Sequence, residues 1–153
     1  MNSPGARSLG LVVICFGALS SPVRAATKPA PASLVTAAEA SALLGGDVKL
    51  TVHDMEKAYP GSVDFVYETR NGQILTVDVD PLDGPEKLAN MLRDLTARDP
   101  KRREPPCSAG DKCFMDRDDL FATKGKWYIH MNAGRGNAAK VDAIARKVAS
   151  RLP

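Results

Sequence analysis

Hydrophobic and polar positions change period several times along the chain, and each change marks an element. Thr36 and Glu39 have the spacing of a capping box; Ala40, Leu43 and Leu44 follow as an apolar stripe, and Gly45 stops the run, so a short helix is predicted there. From Val48 the period shortens to two. Val48, Leu50 and Val52 alternate with Lys49, Thr51 and His53, which predicts a strand with one buried face. Tyr59-Pro60-Gly61 then supplies a turn.

The next hairpin can be predicted to its register. A two-residue turn after Val63, Phe65 and Tyr67 would pair Phe65 with Asp78 and Val63 with Asp80, bringing acids to the core side. A three-residue connection, Arg70-Asn71-Gly72 with Gly72 left-handed, instead pairs Tyr67 with Leu75, Phe65 with Val77 and Val63 with Val79. The second keeps the apolar face whole and is the one expected. Asp83 and Glu86 bracket Gly84-Pro85 at a helix start, Asp83 as the cap, and Leu88, Met91, Leu92 and Leu95 continue at helical spacing until Asp99-Pro100.

Beyond a Pro- and Cys-containing loop, two further strands are expected around a turn at Lys124-Gly125. That turn pairs Ala122 with Trp127 and Leu120 with Ile129 on one face, and Phe121 with Tyr128 on the other. Asn137 is the expected cap of a last helix with the stripe Val141, Ile144, Ala145, Val148 and Leu152 and a basic side of Lys140, Lys147 and Arg151. Tight hairpins need antiparallel neighbours. The expected class is α+β: a mainly antiparallel sheet of five or six strands with three helices packed on it, in the order α-βββ-α-ββ(β)-α.

The first residues fall outside this periodicity. Arg7, the 11-residue apolar run Leu9–Leu19 and Val23-Arg24-Ala25 have the layout of a secretory signal peptide over residues 1–25. The run is too short for a permanent membrane span, which takes about 20 apolar residues. Ile14 stands where a lipoprotein signal would need a small residue before Cys15, so cleavage after Ala25 is expected rather than lipidation. An Ala/Pro linker over 26–33, extended and mobile, would then lead into one domain over 34–153. The expected location is periplasmic or secreted, with no stable transmembrane segment after cleavage.

Export sharpens the composition. The 153-residue chain is 44% hydrophobic and 25% charged, which suits a globular protein. Its formal charge of +3 falls to +1 without Arg7 and Arg24, in a mature chain of 128 residues. This is no nucleic-acid-binding balance. The charge is also polarised: residues 26–83 carry 4 basic and 9 acidic side chains, and residues 84–153 carry 15 and 9. Outside the reducing cytosol, Cys107 and Cys113 are expected to form a disulfide stapling the loop near 99–113. The spacing is not C-x-x-C, and a structural role is favoured over a redox dithiol.

Four constellations bear on chemistry. Gly134-Arg135-Gly136-Asn137-Ala138-Ala139 matches G-x-G-x-x-A between a strand and a helix, but the chain ends before the second strand and acidic residue of a dinucleotide site, so a plain turn is expected. The weaker variant is an anion held on its backbone amides beside Arg135. Asp78, Asp80, Asp83 and Glu86 lack the spacing of a calcium loop; Asp78 and Asp80 are assigned to the outer strand face and Asp83 to helix capping. His53, His130, Cys107 and Cys113 have no compact zinc spacing, although both histidines fall on outward sides of their strands, leaving a His pair across the sheet open. Neither a G-x-S-x-G elbow nor an H-E-x-x-H pair occurs. No cofactor, metal or catalytic set is expected. The fourth constellation is a candidate contact surface of Lys101, Arg102, Arg103, Phe121, Tyr128 and His130, set against the alternative of a mobile loop and a covered aromatic pair.

The phrases LVTAAEASALLGGDV, DDLFATKGKWYIHMN and AAKVDAIARKVASRL, with the hairpin strands between them, resemble the small secreted PsbP-like domains, including bacterial envelope lipoproteins of unassigned function. The similarity spans most of the mature chain and lies in fold-determining patterns; the lipobox of those lipoproteins is missing. It implies a helix-and-sheet sandwich with an accessory or binding role. The expected function is therefore that of an exported, non-enzymatic binding or accessory protein of the envelope, whose partner is an envelope protein or small ligand. The alternatives are an inhibitor or immunity-type protein, or a metal- or thiol-handling one.

Overall fold

The computed structural model describes residues 28–101 and 106–153. The leader, the first linker residues, Arg102 and Arg103 lie outside them. Ten elements follow one another: α1 Pro31–Leu34, α2 Ala37–Leu44, β1 Val48–His53, β2 Val63–Thr69, β3 Ile74–Asp80, α3 Gly84–Arg98, β4 Lys112–Asp116, β5 Asp119–Lys124, β6 Trp127–Asn132 and α4 Ala138–Arg151. The class is α+β, as expected, with the sixth strand formed by β4. Pro31 to Ser33, assigned above to an extended linker, make a helical turn that seats Leu34 and Val35 in the core.

One antiparallel sheet carries the fold, in the order β1-β2-β3-β6-β5-β4. Two three-stranded meanders meet where β3 pairs with β6. Between β2 and β3 the predicted register holds, with Tyr67 opposite Leu75, Phe65 opposite Val77 and Val63 opposite Val79. Gly72 takes the positive φ of 78° that this turn needs. Between β5 and β6 the register differs from expectation: Ala122 faces Ile129, Leu120 faces Met131, and Phe121 faces His130 rather than Tyr128. The turn is Gly125-Lys126, and Asp111 Oδ2 secures it by accepting from the Gly125 amide at 2.7 Å.

Alternation gives the sheet two unlike faces. The inner face, with Phe65, Val77, Ile129, Met131 and Leu120, packs under α1, α2 and α4 and forms the main core. The outer face is covered by α3 mainly over β5 and β6, where Leu88, Phe114 of β4, Phe121 and Tyr128 make a second, smaller core. As an edge strand, β1 leaves Val52 54% exposed, so its predicted buried face is incomplete.

Helix ends follow the sequence in position more than in chemistry. Thr36 and Glu39 form the reciprocal capping box. Asp83 and Asn137 occupy cap positions without capping. Asp83 is left-handed with no side-chain bond to the helix, and Asn137 donates back to the Ala133 carbonyl at 2.8 Å.

The basic side of α4 is not a free surface. Arg151 donates from Nη1 and Nη2 to the two Glu39 carboxylate oxygens at 2.8 and 2.7 Å and from Nη1 to the Leu34 carbonyl at 2.6 Å; Lys147 donates to Glu39 at 3.0 Å. These bonds join the two ends of the domain.

Cys107 and Cys113 form the predicted disulfide. Its loop is held at other points as well: Ser108 donates from its amide and hydroxyl to Asp142 on α4 at 2.8 and 3.1 Å, and the Asp111 amide donates to Thr123. Replacing both cysteines by serine is expected to cost about 2 kcal/mol. Hydrogen exchange should show lost protection confined to this loop and β4, with β2 and β3 unchanged.

Candidate functional site

The pairings place one outer-face residue from each strand in a continuous row: His53, Asp64, Asp78, His130, Phe121 and Phe114. Its two halves differ in kind. At the β4 end Phe114 stacks on Phe121 with centroids 4.9 Å apart, and Phe121 stacks on the His130 ring at 4.7 Å and 5°. The other side of His130 is fixed by Asp119, whose Oδ1 lies 2.9 Å from Nε2 and also accepts from Asn132 at 2.9 Å. Leu88, Met91 and Leu95 of α3 cover this aromatic half. Phe121 and Tyr128, each 8% exposed, are thus core residues under α3, the covered alternative weighed above, and form no open aromatic surface, although Tyr128 also lines the cleft beside this core.

At the β1 end the row is acidic and α3 does not cover it. Where the two halves meet, a cleft of about 300 Å³ opens between β3, the α3 N-terminus and the β1–β2 connection. Met55 and Tyr59, the latter 51% exposed, form its rim; Ser62, Asp78, Asp80 and Tyr128 line its interior, with Lys87 of α3 to one side.

Its polar groups divide into those bonded within the protein and those that are not. Asp80, 6% exposed, is fully engaged: it accepts from the Leu82 amide at 2.8 Å and forms an ion pair with Lys87. Three others have no hydrogen-bond partner among the described residues. The Asp78 carboxyl is pushed above its usual range by burial first and by Asp64 second, with nearby His130 only partly offsetting them. The Tyr128 phenol is pushed up to about 12, again by burial first and then by Asp78 and Asp119. Ser62 is 3% exposed and its Oγ is buried without a partner. Alternation with Val63 and Asp64 turns Ser62 outward, into the cleft. A buried hydroxyl left unbonded costs about 1–3 kcal/mol, so it marks a place where the interior is incomplete.

The other predicted residues lie elsewhere. Lys101 is exposed past the far end of α3 from the cleft. Asp78 and Asp80 occupy the outer face as expected, but covering residues bury Asp80 and leave Asp78 half-buried, so neither is simply solvated. His53 and His130 do not form a pair: two strands separate them, and His53 lies 3.2 Å from Asp64. Among the described residues, no group of three or more His, Cys, Asp or Glu side chains is arranged to hold a metal ion. In the G-x-G-x-x-A turn the Gly136 amide donates to Asp118 at 3.0 Å and the Gly134 amide to Asn132 at 2.8 Å, so side chains of the protein itself occupy amides an anion would use. Among the described residues no helix is long and apolar enough to cross a membrane.

Sequence reasoning missed Ser62, Tyr59 and Lys87. For Ser62 the signal was present: extending the Val63–Val79 register by one position sets it against Asp80, a polar pair at the edge of an apolar hairpin. In comparisons with known proteins, no protein-family model, no curated protein and no solved structure matches the chain.

Proposed function

We propose that this protein is an exported binding or accessory protein of the bacterial envelope that acts by contact rather than catalysis, and that it recognises its partner through the outer-face cleft. The observation that carries the proposal is the buried, unpartnered Ser62 hydroxyl in a cleft that Asp78 and Tyr128 also line, beside an exposed tyrosine. Stability alone does not account for Ser62, because a buried hydroxyl would cost less if paired or replaced by an apolar group. Export and the resemblance to PsbP-like domains belong to the same proposal and rest on the leader and the sequence patterns described above.

The cleft displaces the basic loop as the preferred recognition element. Polarity supports this. The acidic first half of the chain brings Asp64, Asp78 and Asp80 to one face, whereas the cationic side of α4 is tied to Glu39.

The test is affinity capture of the mature protein from its own envelope fraction with paired variants. Asp78→Asn and Ser62→Ala are expected to abolish capture while leaving the thermal midpoint equal or higher, and the triple alanine variant of Lys101, Arg102 and Arg103 is expected to retain it. The opposite pattern would return recognition to the loop.

A further inference from the structure

On the reading that the cleft is the recognition site, its chemistry narrows the occupant to one class. We infer that the cleft binds a primary alkylammonium group, with Asp78 as its counterion and the Ser62 and Tyr128 hydroxyls as its other acceptors. An ammonium presents three N–H donors and no acceptor, and three groups able to accept line this cleft: Ser62 Oγ, buried without a partner, and the Asp78 carboxyl and Tyr128 hydroxyl, which form no hydrogen bond with the described residues. They come from three neighbouring positions across the sheet: Ser62 before β2, Asp78 on β3 and Tyr128 on β6. Three acceptors match the three donors of an ammonium in number, whereas a guanidinium brings five.

Charge decides against an anion. Asp78 and Asp80 line the site with Asp64 close enough to act on Asp78, and Lys87, committed to Asp80, is the one cation lining the cleft among the described residues. Lys87 also shows that this environment accepts an ammonium against a carboxylate. Asp78 has no such neighbour bonded to it, and burial first and Asp64 second push its carboxyl above the usual range. Met55 and the exposed ring of Tyr59 at the rim offer an apolar wall for the methylene stem behind the charged head.

The group can arrive on a free alkylamine or on a lysine side chain of a partner protein, and a titration of the isotope-labelled mature chain followed by NMR distinguishes the sources. Butylamine is expected to shift the signals of Ser62, Asp78 and Tyr128 saturably, relative to sodium chloride at equal ionic strength. Tetramethylammonium, which has no donors, and butanol, which has no charge, should bind at least about tenfold more weakly, since a hydrogen bond to a charged group is worth about 1.5–3 kcal/mol. Asp78→Asn and Ser62→Ala should each weaken butylamine by a similar factor without lowering the thermal midpoint, a combination that a structural role for either residue would not produce. Tighter binding of Nα-acetyl-lysine amide than of 1,5-diaminopentane would identify a protein side chain as the source; the reverse would identify a free amine. Equal binding of butylamine and tetramethylammonium, or no effect of the two variants, overturns the inference. Saturable binding of butanol or acetate in place of butylamine overturns it while leaving the cleft as the recognition site. If no probe moves these signals, the inference also fails, and the capture experiment separately decides the role of the cleft.

Discussion

Gly84→Ala is expected to destabilise the domain by about 3 kcal/mol and to lower its thermal midpoint by roughly 10 °C. Gly84 begins α3, its amide donates to the Lys126 carbonyl at 2.9 Å, and a Cβ there would lie 2.5 Å from the carbonyl carbon and oxygen of Trp127 and 2.7 Å from the Lys126 oxygen. All three are backbone atoms of the β5–β6 hairpin, so no side chain can swing away. Relief requires α3 to lift off the sheet, which opens the second core at Leu88, Phe121 and Tyr128 and distorts the cleft at the same helix end. Thermal melting gives the first quantity, and hydrogen exchange should show α3 losing protection ahead of α4. A variant as stable as the parent would mean that α3 does not pack this closely.

The second large effect concerns Glu39. Glu39→Gln is expected to cost about 2 kcal/mol at neutral pH, because one half-buried carboxylate serves Arg151, Lys147 and the Thr36 cap together. Arg151 above all, then the Thr36 amide and Lys147, hold this carboxyl far below the usual carboxylate range against the opposing effect of burial. A carboxyl whose pKa is lower folded than unfolded binds more protons in the unfolded state, so its contribution is complete above about pH 4.5 and is lost as the pH falls below that value. Urea unfolding across about pH 3 to 7, a window that brackets that ordinary value of 4.5, should therefore show the variant losing less stability on acidification than the parent. Parallel pH profiles would show that the clamp does not form in solution.

How much could be read from the sequence differs between elements for physical reasons. The β2–β3 hairpin was legible to the register, because a one-residue slip would have turned Asp78 and Asp80 into the core. The β5–β6 register was not, because its error is a slip of two. Strand alternation has a period of two, so Ala122 and Leu120 keep the same face whether they meet Trp127 and Ile129 or Ile129 and Met131. Polar contacts distinguish them: Asp111 on the Gly125 amide and Asp119 on His130 and Asn132 fit one register alone.

The site was legible as residues and illegible as a place. Asp78, Asp80, Tyr128 and His130 each stood out in the sequence, the acids as calcium candidates and the rings as a contact surface. Their grouping depends on which half of the outer face α3 covers, and an amphipathic stripe such as Leu88, Met91 and Leu95 states that a helix packs without stating where. The same uncertainty made Lys147 and Arg151 read as a cationic surface, since their counterion, Glu39, is more than a hundred positions away.

The central claim is that recognition occurs at the outer-face cleft. Its most direct test is an NMR footprint of the isotope-labelled mature protein as its envelope extract is added. The account predicts line broadening and shift changes gathered at Tyr59, Ser62, Asp78 and Tyr128, with Lys101 and the Cys107–Cys113 loop unchanged. A footprint on that loop or on the α2 and α4 surface, with the cleft signals unmoved, would contradict it.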